Sequence, residues 1–467
     1  MDAAERSEGA PVCRHHVDWD RLLRLFSDAA AGGGEASQVR STVELRRLCK
    51  RAPEGVLAQT IPVLVDLLGS PSSSVQGAAA RSLCCIARRG DGSLCSAVGR
   101  SGAIPSLLRL LPLSTDGLQT RLVKCLRDLV AFDTPNRVVL ARNGGLEEIL
   151  DLLPLCAEET RGYLFEIFSA LVMSREVRRA LIHIGGLGFL VEAASFGKMV
   201  SRARAAHAIG LLGTARRVRH ILVDLGVIPV LINLLREGDS QAKLTAGNCL
   251  GIISSHVDYL RPIAQAGAIP LYAELLVGSE ALGKEIAEDV FCILAVSREN
   301  ALLICQHLVR ILQGDNEEAK AAAADVLWCL SGYKHSVSVV RESAVIPLLL
   351  DLLQEGCDDA REKALGALVQ MSYEEADRKA LAEAGAIPVF IGLLRNESDE
   401  LKDNAIEALI NFSEDTLLSE RVSDVFDDPM FQTVRDRLVR IRAADEHMVR
   451  SLRQLTVDQL TLDPDFL

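Results

Sequence analysis

Leucine, isoleucine, valine and alanine recur along this chain at spacings of three, four and seven, the pattern of helices with one apolar face. One phrase punctuates the pattern. It is cleanest as Gly102-Ala103-Ile104-Pro105-Ser106-Leu107-Leu108-Arg109-Leu110-Leu111, and it returns as Gly226-Val227-Ile228-Pro229, Gly267-Ala268-Ile269-Pro270, Ala344-Val345-Ile346-Pro347 and Gly385-Ala386-Ile387-Pro388. Glycine before the helix permits a sharp turn, and proline falls where a helix start has no hydrogen bond to lose. Ile228, Leu231, Ile232 and Leu235 then form a face that one helix cannot bury alone, and stacking like units side by side buries it.

Weaker copies keep the apolar positions without the proline, around Leu146, Leu187 and Cys305, giving nine anchors when the count starts at Ile61. Their spacing is 43 from Ile61 to Ile104, 42 to Leu146, 41 to Leu187, Ile228 and Ile269, 36 to Cys305, then 41 to Ile346 and to Ile387. A period near 40 with helical patterning and no strand alternation falls in the range of roughly 40–47 residues expected of armadillo and HEAT units. The short unit is expected to trim the loop near Ser297-Arg298-Glu299-Asn300. The expected fold is all-α, a right-handed armadillo-repeat superhelix of about nine to ten three-helix units.

Three regions follow from the pattern: an N-terminal disordered segment with a short helix over 1–38, the repeat array over 39–428, and a capping helix and tail over 429–467. The helix from Val17 to Phe26 is expected to be set apart from the array by Ala31-Gly32-Gly33-Gly34. In the tail, Phe431, Val434, Leu438, Ile441, Met448, Leu452 and Leu455 lie at spacings suited to a helix folded back on the last unit or to a weak dimer contact.

Composition narrows the function. Hydrophobic residues make up 49% of the 467 and aromatics only 4%, an aliphatic core with few side chains on which a base could stack. The net charge of −12 divides unevenly: residues 1–250 hold 31 Lys and Arg against 25 Asp and Glu, and residues 251–467 hold 20 against 38. An acidic total disfavours nucleic acid, and the asymmetry suggests that the two halves meet different ligands. The 12 cysteines form no CxxC pair and read as reduced core residues of an intracellular protein. No apolar run reaches the roughly 18 residues that cross a bilayer, and Met1-Asp2 does not fit an N-myristoylation signal.

The stretch Val39-Arg40-Ser41-Thr42-Val43-Glu44-Leu45-Arg46-Arg47-Leu48-Cys49-Lys50, a basic helix ahead of a Gly-Ala-Ile-Pro phrase, resembles the first armadillo unit of plant-type U-box ubiquitin ligases, and the resemblance runs from about Val39 to about Glu414. Nothing before Val39 is long enough for a U-box, so the resemblance implies a scaffold, or at most a substrate-recruiting subunit served by a ligase in trans. A membrane-tethered scaffold similar to the vacuolar armadillo protein of fungi is a further alternative, with Cys13 as its acylation site. The resemblance also implies that the third helix of each unit lines a concave groove; these helices are expected at 75–87, 118–130, 161–173, 201–213, 241–254, 283–296, 318–331, 360–372 and 400–413.

In peptide-binding armadillo proteins the third helix carries an Asn that grips an extended ligand and a Trp one turn earlier. The Asn position holds Cys85, Asp128, Ala170, Leu211, Ile252, Ile293, Cys329, Gln370 and Asn411; the Trp position holds Arg81, Lys124, Glu166, His207, Asn248, Asp289, Asp325, Gly366 and Glu407. Only Asn411 fits, which departs from the nuclear-import-receptor pattern. A charge sequence takes its place, and the expected partner-binding residues are Arg81, Arg121, Lys124, Asp128, Arg204, His207, Asn248, Asp289, Asp325 and Asn411. The basic ones suit acidic or phosphorylated segments of other proteins through charge-assisted bonds.

Catalytic and cofactor signals are missing. Asp358-Asp359 and Glu374-Glu375 sit at helix starts, where acids complement the helix dipole. Cys13-Arg14-His15-His16 lacks a second ligand cluster, Ser195-Phe196-Gly197-Lys198 lacks the glycines of a phosphate loop, and Trp328 reads as packing. The expectation is a non-enzymatic adaptor with no metal and no cofactor, cytoplasmic and also nuclear.

Overall fold

The computed structural model describes residues 18–90, 92–131, 133–333, 336–395, 398–425, 429, 431–433, 435, 436 and 440. Among them the regular structure is entirely helical. The N-terminal tract before residue 18, with Cys13 and its neighbours, and nearly all of the expected capping helix lie outside the described residues. The chain divides into two compact units, Met1–Val230 and Leu231–Leu467.

In the first unit α1 (Trp19–Gly32), α2 (Glu35–Leu48), α3 (Glu54–Leu68) and α4 (Ser73–Ala87) precede three complete triplets. These are α5 (Ser93–Arg100), α6 (Ala103–Leu110) and α7 (Asp116–Val130); α8 (Thr134–Arg142), α9 (Gly145–Leu152) and α10 (Glu158–Leu171); and α11 (Arg175–Ile184), α12 (Leu187–Ser195) and α13 (Met199–Gly213). Then α14 (Arg216–Asp224) leads into α15 (Val227–Glu237), within which the division falls. The second unit holds α16 (Ser240–Ser254), α17 (Val257–Gln265), α18 (Ala268–Val277), α19 (Ala281–Leu294), α20 (Arg298–Leu312) and α21 (Glu317–Ser331). It continues through α22 (Val337–Glu342), α23 (Val345–Glu355), α24 (Asp358–Ser372), α25 (Glu375–Glu383), α26 (Ala386–Leu393), α27 (Asp399–Ser413) and a final 3-10 turn at Ser419–Val425.

All nine anchors are buried, from Ile104 and Cys305 at 0% exposure to Ile228 at 6%. Burying an aliphatic side chain of this kind stabilises by about 1.5–3 kcal/mol, so the anchors and their neighbours at three and four residues carry the fold. The turns behave as their residues require: Gly102, Gly226, Gly267 and Gly385 adopt φ of 85°, 81°, 89° and 86°, the left-handed region open to glycine. Ala344 stands in the same place with φ 56°, the sole non-glycine residue with positive φ among the described residues.

Stacking is recorded by hydrogen bonds between residues one period apart. Within the first unit Ser82 Oγ donates to Thr42 O at 3.1 Å and the Thr120 and Thr160 hydroxyls meet at 2.7 Å. Buried Asn136, one turn into α8, donates from Nδ2 to Leu129 O at 2.9 Å and to Cys95 O at 3.2 Å. Its close approach needs a glycine, because a Cβ on Gly99 would stand 1.6 Å from Asn136 Oδ1. Asn300 in α20 repeats the arrangement in the second unit, donating to Leu294 O at 3.1 Å and Leu260 O at 3.3 Å. Each amide satisfies the end of a third helix and a carbonyl of the preceding unit, groups that would otherwise be orphaned.

Three expectations change. The glycines at 32–34 do not set α1 apart: Phe26 and Ala30 are buried, Gln38 Nε2 donates to Ala30 O at 2.9 Å, and α1 packs on α2 and α3. The stack therefore begins before residue 39, since α2 starts at Glu35 and lies against α4 as α4 lies against α7. The short unit does not lose the loop at Ser297, which remains an ordinary helix entry; it loses the turn between its first and second helices, so that α20 runs unbroken through the anchor Cys305. No glycine or proline lies between Arg298 and Leu312 to interrupt it. In α3, Pro62 lies inside an equally long helix rather than at its start.

Candidate functional site

The third helices α4, α7, α10 and α13 pack side by side in the first unit with α2 as a further rung, and the charged candidates divide there into two groups. One is neutralised internally. Asp128, 7% exposed at its side chain, lies 2.7 Å from Arg88 Nε and 2.7 Å from Arg127 Nε, and accepts from Cys84 Sγ at 2.7 Å. Burial, then the bond to Asp128, pushes the Cys84 thiol up to about 12. Arg127 Nη1 reaches Glu166 Oε2 at 3.2 Å, and Lys198 Nζ reaches Glu166 Oε1 at 3.1 Å. This chain of alternating charge lines a cleft of 890 Å³ together with Arg204. Arg204 Nη2 donates to Ala131 O at 3.3 Å, where a cation complements the C-terminus of α7.

The second group has no such compensation. Arg81 on α4, Arg121 and Lys124 on α7 and Arg46 on α2 line a neighbouring cleft of 450 Å³ together with Arg88, Cys84, Cys85, Gly117, Thr120 and Glu159. Among the described residues none of Arg46, Arg81, Arg121 and Lys124 has a carboxylate within ion-pair distance. Burial, then the guanidiniums of Arg121 and Arg46, lowers the Arg81 pKa, and Arg81 Nε is buried without a hydrogen-bond partner. Lys124 Nζ stands 5.8 Å from the Tyr163 ring centroid, a cation-π contact. Glu159, the one carboxylate of the lining, accepts from Tyr163 OH at 3.4 Å.

The ten expected contact residues are therefore not equivalent. Arg81, Arg121 and Lys124 come together; Asp128 is held by arginines, Arg204 caps α7, and His207 is exposed on α13. In the second unit Asn248 and Asp289 are exposed, while Asp325 Oδ2 is 3.4 Å from Lys363 Nζ. Asn411, which alone matched the peptide-gripping position, is 2% exposed and donates from Nδ2 to Ser372 Oγ at 2.8 Å, so its amide holds α27 to α24 rather than facing a ligand. Arg46 was missed by starting the third helices at residue 75; its signal was the basic helix in which it sits.

Beside Asp289 and Asp325 stand the thiols of Cys292 on α19 and Cys329 on α21, whose mutual interaction raises the first and lowers the second. Trp328 is 37% exposed and its indole lies over Gly366 of α24. Among the described residues no group of three or more His, Cys, Asp or Glu is placed to hold a metal ion, and no single helix is long and apolar enough to cross a membrane.

No family model matches this chain, and no curated protein is similar to it at a significant level. Solved structures are. An engineered protein shares 23% identity with a TM-score of 0.60, over 85% of this chain and 98% of its own. A chain from the structure describing how a conserved phosphorylation switch controls the interaction between cadherin and beta-catenin shares 19% identity with a TM-score of 0.55, over 75% of this chain and 68% of its own. At these identities the likeness is one of fold alone: among the described residues this chain has an armadillo-like, helical repeat fold.

Proposed function

We propose that this chain is a non-enzymatic adaptor that binds other proteins on the third helices of its repeats, and that the first unit takes an acidic or phosphorylated segment of its partner. The observation that carries the reading is the set of uncompensated cations Arg81, Arg121 and Lys124, joined by Arg46, beside a neighbouring cleft in which Arg88, Arg127 and Lys198 are paired with Asp128 and Glu166. Like charges held together raise one another's free energy, and an incoming anion relieves that repulsion while steering its own approach. The proposed compartment is the cytoplasm, with access to the nucleus, and the proposed state is a monomer or a weak dimer.

The test compares proteins that co-purify with the wild type and with an Arg121→Glu/Lys124→Glu variant of equal helicity. Loss of a defined set carrying acidic or phosphorylated segments supports the reading, and ubiquitin-ligase components within that set would support a recruiting role served by a ligase in trans. Identical sets would remove the basic cleft from partner binding.

A further inference from the structure

We propose that the cleft bounded by Arg46, Arg81, Arg121 and Lys124 is a phosphoryl site, built for one phosphorylated side chain of a protein segment. The inference rests on the protein-binding reading above and commits it to one chemistry.

The charges are the first argument. The lining holds five cations and one carboxylate, and Arg88 is already paired with Asp128, so four cations face Glu159 alone. A carboxylate brings one negative charge on two oxygens. A phosphoryl group brings about −1.5 to −2 and three strong acceptor oxygens, which match three guanidiniums and an ammonium far better. The donors are the second argument. Arg81 Nε is buried without a partner, and Arg46, Arg81 and Arg121 come from three neighbouring rungs of the stack, α2, α4 and α7, to line one cleft. An N–H left unpaired in a buried place is unfavourable until an acceptor arrives. Arg121 reaches back over Gly77 of α4, whose lack of a side chain leaves room for the guanidinium: a Cβ there would stand 2.8 Å from Nη1.

The lining also chooses the kind of macromolecule. It has no aromatic ring on which a base could stack and no aliphatic side chain that could enter a bilayer. The Tyr163 ring beside Lys124 is engaged by that ammonium and by Arg127, whose guanidinium carbon is 5.0 Å from its centroid. The 450 Å³ space accommodates one phosphorylated side chain, and Glu159 repels a second anion beside it.

The experiment passes three degenerate peptide pools over the immobilised full-length protein, identical except for phosphoserine, serine or glutamate at one fixed position. The expected result is retention of the phosphoserine pool about tenfold or more above both others, the effect of one to three new charge-assisted bonds. An Arg46→Gln/Arg81→Gln variant loses that preference, and so does Arg121→Gln/Lys124→Gln, which changes more exposed positions and guards against a folding defect. Arg100→Gln/Arg109→Gln, an equal loss of charge on α5 and α6 outside the cleft, keeps it. Equal retention of the glutamate and phosphoserine pools overturns the phosphoryl site and leaves the acidic-segment reading standing. Retention of none overturns both. Binding to phosphatidylcholine vesicles only when a phosphoinositide is included, with no phosphoserine preference, overturns the proposal in favour of a lipid headgroup.

Discussion

Gly366 on α24 and Trp328 on α21 make a contact whose energetics change sign with the partner present. A Cβ on Gly366 would stand 2.5 Å from Trp328 Cδ2, 2.6 Å from Cε2 and 2.7 Å from Cε3, all well inside van der Waals contact. Cδ2 and Cε2 are the atoms at which the two rings of the indole fuse, and Cε3 is bonded to Cδ2, so the rigid ring has to tilt as a whole or the two helices have to part. Overpacking of this kind costs about 1–3 kcal/mol, and the 37% exposure of Trp328 gives it an outward escape that places the cost near about 2. Alanine in the interior of a helix is favoured over glycine by about 1 kcal/mol. Gly366→Ala is therefore expected to destabilise the wild type by about 1 kcal/mol and to stabilise a Trp328→Ala background by about 1, a coupling of about 2 kcal/mol. Urea unfolding followed by far-ultraviolet circular dichroism gives the four stabilities, and hydrogen exchange across α21 and α24 reads the local free energy if unfolding is not a single step. Equal stabilisation in both backgrounds would refute the argument, because it would mean that the indole does not cover Gly366.

Ala344→Gly removes a left-handed alanine worth about 1–2 kcal/mol of strain and adds about 0.5–1 of unfolded-chain entropy, so a net gain of about 0.5 kcal/mol is expected in thermal unfolding. The reverse change at Gly267, with φ 89°, is expected to lose about 1 kcal/mol in the same assay. Asn136→Ala leaves Leu129 O and Cys95 O without their donor, and a loss of about 2–3 kcal/mol is expected, seen as faster amide exchange in α8. Burial pushes the Cys305 thiol up to about 11, whereas an unfolded cysteine titrates near about 8.5. The unfolded chain thus gives up this proton first, and the contribution of the thiol is intact below about pH 8.5 and lost as pH rises toward 11. Melting temperatures of Cys305→Ala are expected to fall less steeply with pH across that interval than those of the wild type.

The repeat was legible in the sequence because its causes are local. Helical periodicity, a glycine that tolerates positive φ and a proline in the first turn act over a few residues, and all nine anchors identified that way are buried. The fate of the short unit was half legible. A period of 36 announced a deletion, but whether it removes a loop or joins two helices depends on which residues remain able to continue a helix, and Arg298 to Leu312 all can. The candidate site was legible only as residue types. Arg81, Lys124 and Asp128 looked alike as charged residues of a third helix, and what separates them is a partner some 40 residues away: Asp128 meets Arg88 and Cys84, while Arg81 has no carboxylate within ion-pair distance among the described residues and feels the charges of Arg121 and Arg46. Asn411 illustrates the same limit, since matching a ligand-gripping position says nothing of Ser372 lying 2.8 Å from its amide.

The fused helix α20 has a mechanical consequence. Where a glycine turn parts the first and second helices, as at Gly267 and Gly385, the helical hydrogen-bond ladder is interrupted and a few backbone torsions form a joint. Fifteen residues of continuous helix, about 22 Å long, have no such joint, and bending them requires stretching backbone hydrogen bonds. Load applied along the second unit is therefore taken up at the glycine joints to either side, while the segment from Arg298 to Leu312 transmits it as a strut.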